Sequence, residues 1–121
     1  MENRQFGFEK LSVWIKAKQV TLLVYECTTP FPTNEKFGLV SQMRRSAVSV
    51  CSNIAEGSGR SSKKDKQHFL TIAYSSLMEL INQLIIAYET GLISEEKYLD
   101  LRREIQITGF LIHKLHQSLS N

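Results

Sequence analysis

The sequence contains few residues that interrupt helices, with only two prolines and six glycines among 121 residues. Both prolines lie in one short segment, Thr28–Thr33 (TTPFPT), so helices can run without interruption on either side of it. This distribution argues against many short strands joined by tight turns. The chain has a length typical of one domain, which can bury a core without disulfides or metal ions.

The sequence also lacks targeting signals and is poor in cysteine. Its first residues show no basic segment followed by an apolar run, the pattern of a secretory signal. No uninterrupted apolar run approaches the roughly 18 residues of a membrane-spanning helix, and the longest candidate is near Leu84–Tyr88. In the absence of a secretion signal, Cys27 and Cys51 are expected to be reduced, packed thiols. We therefore expect a cytoplasmic protein without a membrane segment.

Apolar residues recur every three or four positions, the spacing of one helix face, in four separate segments. These segments predict helices at about residues 9–27, 35–56, 63–90 and 95–119. Ser62 and Ser94 are suitable N-caps for the last two helices. Gly57 marks the end of the second helix, and Gly91 marks the end of the third. Short connections between four helices predict an all-α fold, an antiparallel up-down-up-down four-helix bundle that forms one domain over residues 1–121.

The first predicted helix carries two apolar stripes. One stripe contains Leu11, Trp14, Ile15, Leu22 and Tyr25, and the other contains Val13, Ala17, Val20 and Val24. Such a wide apolar surface fits a helix placed between two neighbours in its own bundle. It also fits a helix that faces a second subunit.

Polar residues line one face of the second predicted helix and a comparable face of the third. On the second helix these residues are Arg45, Ser49, Ser52 or Asn53, and Glu56, and on the third they are Glu79 and Gln83, with Ser75 and Ser76 one turn earlier. The first interpretation is that Arg44 or Arg45 pairs with Glu56 or Glu79, inside one bundle or between bundles, and fixes the register. A ligand-binding role and simple solvation are the alternatives.

No pattern in the sequence indicates catalysis. The glycines at Gly57–Gly59 lack the lysine and threonine of a phosphate-binding loop and have no preceding strand. His113 and His116 have a spacing at which one metal ion could be shared, but no carboxylate or cysteine accompanies them at a supporting spacing. We therefore expect a protein that is not an enzyme and has no catalytic residues, cofactor or metal.

Basic residues are the remaining candidates for binding. The net charge is +3, and the candidate phosphate contacts are Lys10, Lys16, Lys18, Arg60, Lys63, Lys64, Lys66, Arg102 and Arg103. One copy of such a surface would attract nucleic acid weakly, whereas a ring of identical subunits would bind polyvalently and with strong salt dependence. A solvated basic surface without a ligand is the alternative.

Several short motifs, in this order, resemble one known family. They are FEKL at Phe8–Leu11, Val13-Trp14, Phe31-Pro32, QMRRS at Gln42–Ser46 and, above all, NIAEGSGR at Asn53–Arg60. Together they are similar to the bacterial four-helix bundle proteins called 23S ribosomal RNA intervening-sequence proteins. The match continues through Phe69-Leu70 to Leu84, and beyond that it depends on the helix pattern alone.

The resemblance implies an antiparallel bundle that assembles as a homopentamer around a central channel. A related branch, the accessory variability determinant of diversity-generating retroelements, binds nucleic acid and a reverse transcriptase through basic surfaces of its ring. Expected partners are therefore copies of this chain, with RNA, DNA or a nucleic-acid-handling protein; a protein-interaction scaffold without nucleic acid is the alternative. Tyr74-Ser75 stands where many relatives have an arginine-glycine pair, which weakens the nucleic-acid expectation.

The resemblance also implies roles for particular residues. The residues on the polar signature of the family are Arg44, Arg45, Asn53, Glu56, Arg60 and Glu79. Their implied task is packing and subunit association.

Overall fold

The computed structural model describes residues 4–120, and the regular elements in this range are all helices. The four long helices are α1 (Ser12–Thr28), α2 (Ser41–Ser58), α3 (Lys63–Glu89) and α4 (Glu95–Ser118). A short 3-10 helix, Gly7–Lys10, precedes α1. The prediction of an all-α chain with four helices is confirmed.

The four helices surround one core. The main contacts join α1 to α2, α2 to α3, α3 to α4 and α4 back to α1, and those between α2 and α3 are the most extensive. At one end of the bundle, the α2–α3 connection meets the 3-10 helix and the end of α4. We call this the α2–α3 end. The opposite end carries the α1–α2 and α3–α4 connections, and we call it the α1–α2 end.

The start of α2 differs from the prediction. The chain between α1 and α2 first forms a 3-10 turn, Thr33–Glu35, and then a π-helical turn, Lys36–Val40. Gly38 interrupts regular helix with non-helical backbone angles, φ −105° and ψ −110°. As a result α2 begins at Ser41 instead of residue 35.

The core uses one of the two apolar stripes of α1. Val13, Ala17, Val20 and Val24 are buried together with residues from the other three helices. On the second stripe, Ile15, Leu22 and Tyr25 are exposed, whereas Leu11 and Trp14 pack against the core edge. The exposed members leave an apolar strip on the outside of the subunit.

The predicted caps hold the ends of α3 and α4. Ser62 Oγ accepts a hydrogen bond from Asp65 N at 3.1 Å, and Ser94 Oγ accepts one from Lys97 N at 3.3 Å. Gly91 has a φ of +80°, a conformation that favours glycine, in the turn before α4. The two caps and the glycine turn therefore fix where α3 begins, where it ends and where α4 begins.

One helix combines the length and the apolar composition of a possible membrane span. Among the described residues α3 is long and apolar enough to cross a membrane by length and composition, with a mean hydropathy of 1.4 over 18 residues. Polar residues divide this helix, so it contains no uninterrupted apolar run of that length. One such helix is weak support for a membrane span, because the core helix of a soluble bundle has the same composition, and α3 supplies Leu77, Leu80 and Leu84 to the core.

The two cysteines are free thiols, as expected. Cys27 is buried between α1 and α4, and burial raises the pKa of its thiol. Cys51 is partly buried beside Thr21, with 3.3 Å between Sγ and Oγ1, and burial also raises its pKa. Both groups are therefore poor nucleophiles near neutral pH.

Candidate nucleic-acid interface

Positive charge is concentrated at the α2–α3 end of the bundle. The cations there are Lys10, Arg60, Lys63, Lys64, Lys66 and Lys114, against the anions Glu9, Glu56 and Asp65. Lys10, Lys63 and Lys64 are exposed. This surface, which we call the basic end, contains five of the nine predicted phosphate contacts.

The α2–α3 connection holds several of these cations close together. The chain leaves α2 through two turns, in which Gly59 N donates to Glu56 O and Arg60 N donates to Gly57 O. It enters α3 at the Ser62 cap, so Lys63 and Lys64 lie in the first helical turn, where the helix dipole also favours anions. The local sequence thus places cations and the positive pole of a helix on one surface.

Arg60 has partners in its own subunit. Its guanidinium contacts the Glu56 carboxylate at 2.8 Å and lies over the Phe69 ring at 4.6 Å. The ion pair is about half exposed, so it contributes little to stability and leaves the guanidinium accessible. An accessible arginine on an aromatic ring suits contact with a phosphate or a base.

Lys66 has a structural role that the sequence did not indicate. Its ammonium donates a hydrogen bond to Ser58 O at 2.9 Å, which satisfies a carbonyl at the C-terminal end of α2. The side chain is partly buried. Lys66 thus joins the two helices at the basic end.

The predicted cations on α1 do not form one group. Lys16 is partly buried and makes an ion pair with Glu104 on α4, with 2.8 Å between Nζ and Oε1. Lys18 is exposed, and its Nζ lies 5.3 Å from the Trp14 ring centroid. Lys16 therefore joins α1 to α4, whereas Lys18 remains on the surface.

The two predicted arginines on α4 lie toward the opposite end of the bundle. Arg102 donates to the Tyr98 hydroxyl at 2.6 Å, and Arg103 pairs with Asp100 at 2.9 Å. Both interactions are within α4. The structure therefore does not bring these two residues together with the basic end.

The polar signature residues have different partners from those predicted. Arg44 Nε donates to Thr28 Oγ1 at 3.0 Å, and its guanidinium lies 4.5 Å from the Tyr25 ring centroid. Glu56 pairs with Arg60 instead of Arg44 or Arg45. Within the described part of one subunit the predicted pairing with Glu79 does not form either, because Arg45 and Glu79 are exposed without such a contact. A pairing between subunits stays a prediction.

Asn53 belongs to a polar contact between α2 and α3. Its Nδ2 donates to Ser49 O at 2.9 Å and to Ser49 Oγ at 3.1 Å, and Ser49 Oγ lies 2.8 Å from Ser76 Oγ. Gln83 lies further along α3 with a buried Oε1 that makes no hydrogen bond. The small hydroxyls of Ser49 and Ser76 thus permit close packing of α2 on α3 with a hydrogen bond between the two helices.

Recesses indent the surface of the described residues, and three of them are well defined. One of about 360 Å³ at the α2–α3 end is lined by Leu11, Leu70, Leu115 and Lys66 among others. A second, of about 200 Å³, lies between α1 and α4, and a third, of about 370 Å³, lies between α3 and α4. Over residues 4–120, no group of three or more His, Cys, Asp or Glu residues is placed to hold a metal.

The match to known proteins covers most of the chain. Residues 9–114 match the family described as 23S rRNA-intervening sequence protein. The chain belongs to this family. The resemblance drawn from the NIAEGSGR motif and its companions is confirmed.

A solved structure supports the fold of this 23S rRNA-intervening sequence protein. It is the crystal structure of a protein of unknown function from the S23 ribosomal protein family of Bacteroides thetaiotaomicron. The two chains are 21% identical, with a TM-score of 0.78 over 86% of this chain and 97% of the other. No curated protein matches the sequence.

Proposed function

We propose that this chain is a non-catalytic, homopentameric accessory protein of the cytoplasm that binds RNA or DNA through its basic end. The observation that carries this proposal is the cluster of exposed Lys10, Lys63 and Lys64 around an accessible Arg60. The family name supports RNA as the first ligand to test. Lys16 and Lys66 serve structural contacts in this proposal, and Arg102 and Arg103 lie outside the interface.

Assembly is needed because one basic end carries few exposed cations. Binding that neutralises several phosphates releases counterions, and its affinity falls steeply with salt concentration. Five copies arranged around one axis would present five basic ends to the same polyanion, which raises the effective concentration of each. The exposed apolar side chains Ile15, Leu22 and Tyr25 on α1 support an interface between subunits.

The mass in solution tests the assembly. Light scattering should give about 70 kDa, five times the 13.9 kDa chain. A monomer at every concentration would contradict the assembly part of the proposal.

Nucleic-acid binding is tested with fluorescence anisotropy of labelled structured RNA and duplex DNA across a salt series. Lys64→Glu should weaken binding and reduce the log-log salt slope by at least about one unit, since each lost phosphate contact removes about 0.9 for duplex DNA. Arg103→Glu is the matched control, because it makes the same charge change at the opposite end and should leave the slope nearly unchanged when light scattering shows that the oligomer is intact. Equal effects of both variants would indicate a nonspecific response to net charge.

A protein-interaction scaffold is the second candidate, and the surface between α3 and α4 favours it. Tyr74, Met78 and Phe110 are exposed around the recess of about 370 Å³, and exposed apolar patches of this kind serve protein contacts. Absence of binding to either nucleic acid at low salt would remove the first candidate and favour the scaffold.

A further inference from the structure

An exposed aromatic ring projects from the connection between α1 and α2. The side chain of Phe37 is 90% exposed, the highest value among the large apolar residues described. Lys36 lies beside it, with Nζ 5.6 Å from the ring centroid. In a regular helix residues three positions apart lie on the same face. The non-helical backbone at Gly38 separates Phe37 from Val40, so Phe37 is exposed whereas Val40 is buried. We call Lys36 and Phe37 the knob.

A recess of suitable size lies on another side of the same subunit. It has a volume of about 200 Å³ between the last turns of α1 and the first turns of α4. Buried Cys27 and Leu101 and partly buried Leu23 supply apolar walls. A cavity of about 150 Å³ is enough to hold benzene, so this recess, which we call the socket, has room for a phenylalanine ring.

The charges around the socket complement the knob. Glu26, Lys97 and Asp100 line the socket and are exposed, which gives its rim two carboxylates and one ammonium. A phenylalanine ring seated in the socket would bring the adjacent ammonium of Lys36 to this net negative rim. Such complementarity selects a partner and orients it more than it adds affinity.

The positions of knob and socket along the bundle fit a closed ring. Both lie at the α1–α2 end, the knob just before α2 and the socket on the α1–α4 side. Rotation about an axis parallel to the bundle keeps every atom at the same height, so contact surfaces in such a ring must lie at matching heights. The recess at the α2–α3 end and the recess near the middle of α3 and α4 lie at other heights than the knob.

From these observations we infer that the partner of the knob is a second copy of this chain, and that Phe37 of each subunit inserts into the socket of the next. The interface is heterologous, since two different surfaces meet, and repetition of it closes a ring. This inference rests on the proposed assembly and identifies its contact surface. It leaves the basic end free, because knob and socket both lie at the opposite end of the bundle.

Removal of the aromatic side chain of Phe37 is the first test. Phe37→Ala should raise the dissociation constant between subunits at least about thirty-fold, the effect of losing an aromatic hot spot, and shift the mass measured by light scattering toward 13.9 kDa. Phe110→Ala is the control, because it removes another exposed ring, 61% accessible, from the α3–α4 surface. Circular dichroism should show that both variants remain helical. An unchanged oligomer in Phe37→Ala, or dissociation in Phe110→Ala alone, would overturn the inference.

Complementation is the sharper test. Leu23→Arg places a charge in the socket and leaves the knob intact, whereas Phe37→Ala removes the knob and leaves the socket intact. Each variant alone should be monomeric. Their mixture should form a 1:1 heterodimer of about 28 kDa, twice the chain mass, because one intact knob and one intact socket remain per pair.

The outcomes separate this inference from the proposed assembly. A wild-type monomer would contradict the assembly itself. A wild-type ring that survives loss of the knob, or variants whose mixture stays monomeric, would contradict the knob-and-socket contact and leave the assembly standing.

Discussion

The two ends of the bundle differ in charge and in construction. At the basic end, six cations face three anions across a short connection between α2 and α3. Over residues 26–45 and 89–103 at the α1–α2 end, the charges balance: the six acidic residues are Glu26, Glu35, Glu89, Glu95, Glu96 and Asp100, and the six basic ones are Lys36, Arg44, Arg45, Lys97, Arg102 and Arg103. The connection between α1 and α2 is also longer and contains 3-10 and π-helical turns.

This difference suggests that one subunit separates two tasks. Phosphates would be attracted to the basic end more than to the α1–α2 end, where the charges balance, whereas an apolar knob needs an exposed connection and a neighbouring recess. A polyanion could then bind one end of a ring without competing for the contacts between its subunits. The following predictions test how each end is held together.

The largest effect on subunit stability is expected at Gly57, where α3 packs directly against the backbone of α2 at the basic end. A Cβ atom there would lie 2.8 Å from Phe69 Cβ and 3.5 Å from Lys66 O. Gly57→Ala should therefore force the helices apart and lower the free energy of unfolding by about 1–3 kcal/mol. Urea denaturation measures this change.

Gly59→Ala is the matched control for Gly57→Ala. Its added Cβ would meet only Glu56 O at an ordinary 3.6 Å, and its φ of −87° suits alanine. We expect Gly59→Ala to be neutral or slightly stabilising. Equal losses in both variants would show that the two helices do not depend on close approach at Gly57.

A smaller effect is expected at the opposite end, at Arg44. Its guanidinium donates to Thr28 Oγ1 and to Tyr25 O, at 3.0 and 3.3 Å, and so holds the end of α1 against α2. Arg44→Ala should cost about 1 kcal/mol of unfolding free energy, a modest value because the site is partly exposed.

Arg45→Ala separates subunit stability from assembly. Arg45 is exposed on α2, so its loss should change the unfolding free energy of a dissociated subunit by less than about 0.5 kcal/mol. If Arg45 pairs with Glu79 between subunits, the same variant will weaken the oligomer in a dilution series. A large loss of subunit stability from Arg45→Ala would contradict this division.

The helices and their caps could be predicted because their causes are local. Apolar spacing and the serines at Ser62 and Ser94 depend on neighbouring residues alone, and both caps form as predicted. The start of α2 was predicted wrongly because Gly38 breaks the helix in a way that local propensity does not specify. The outward position of Phe37 follows from that break.

The partners of charged residues could not be predicted from spacing. Lys16 reaches Glu104, 88 positions away, and Lys66 reaches Ser58 O across the α2–α3 connection. Both contacts depend on how the helices pack, and they engage two of the predicted phosphate contacts within the subunit. Lys63, Lys64 and Arg60 could be grouped from the sequence because one short connection carries them.

The smallest effect is a pH dependence of stability from the two cysteines. Burial raises the pKa of the Cys27 and Cys51 thiols in the folded chain. Above the unfolded-state pKa of about 8.5, the unfolded chain therefore loses these protons first, so ionisation favours unfolding. Their stabilisation is fully present below that pH and is lost as pH rises toward the folded-state values. Urea denaturation at pH 7.5 and 9.5 should show a decline that is smaller in a Cys27→Ala, Cys51→Ala double variant, and equal declines would contradict the assignment to the thiols.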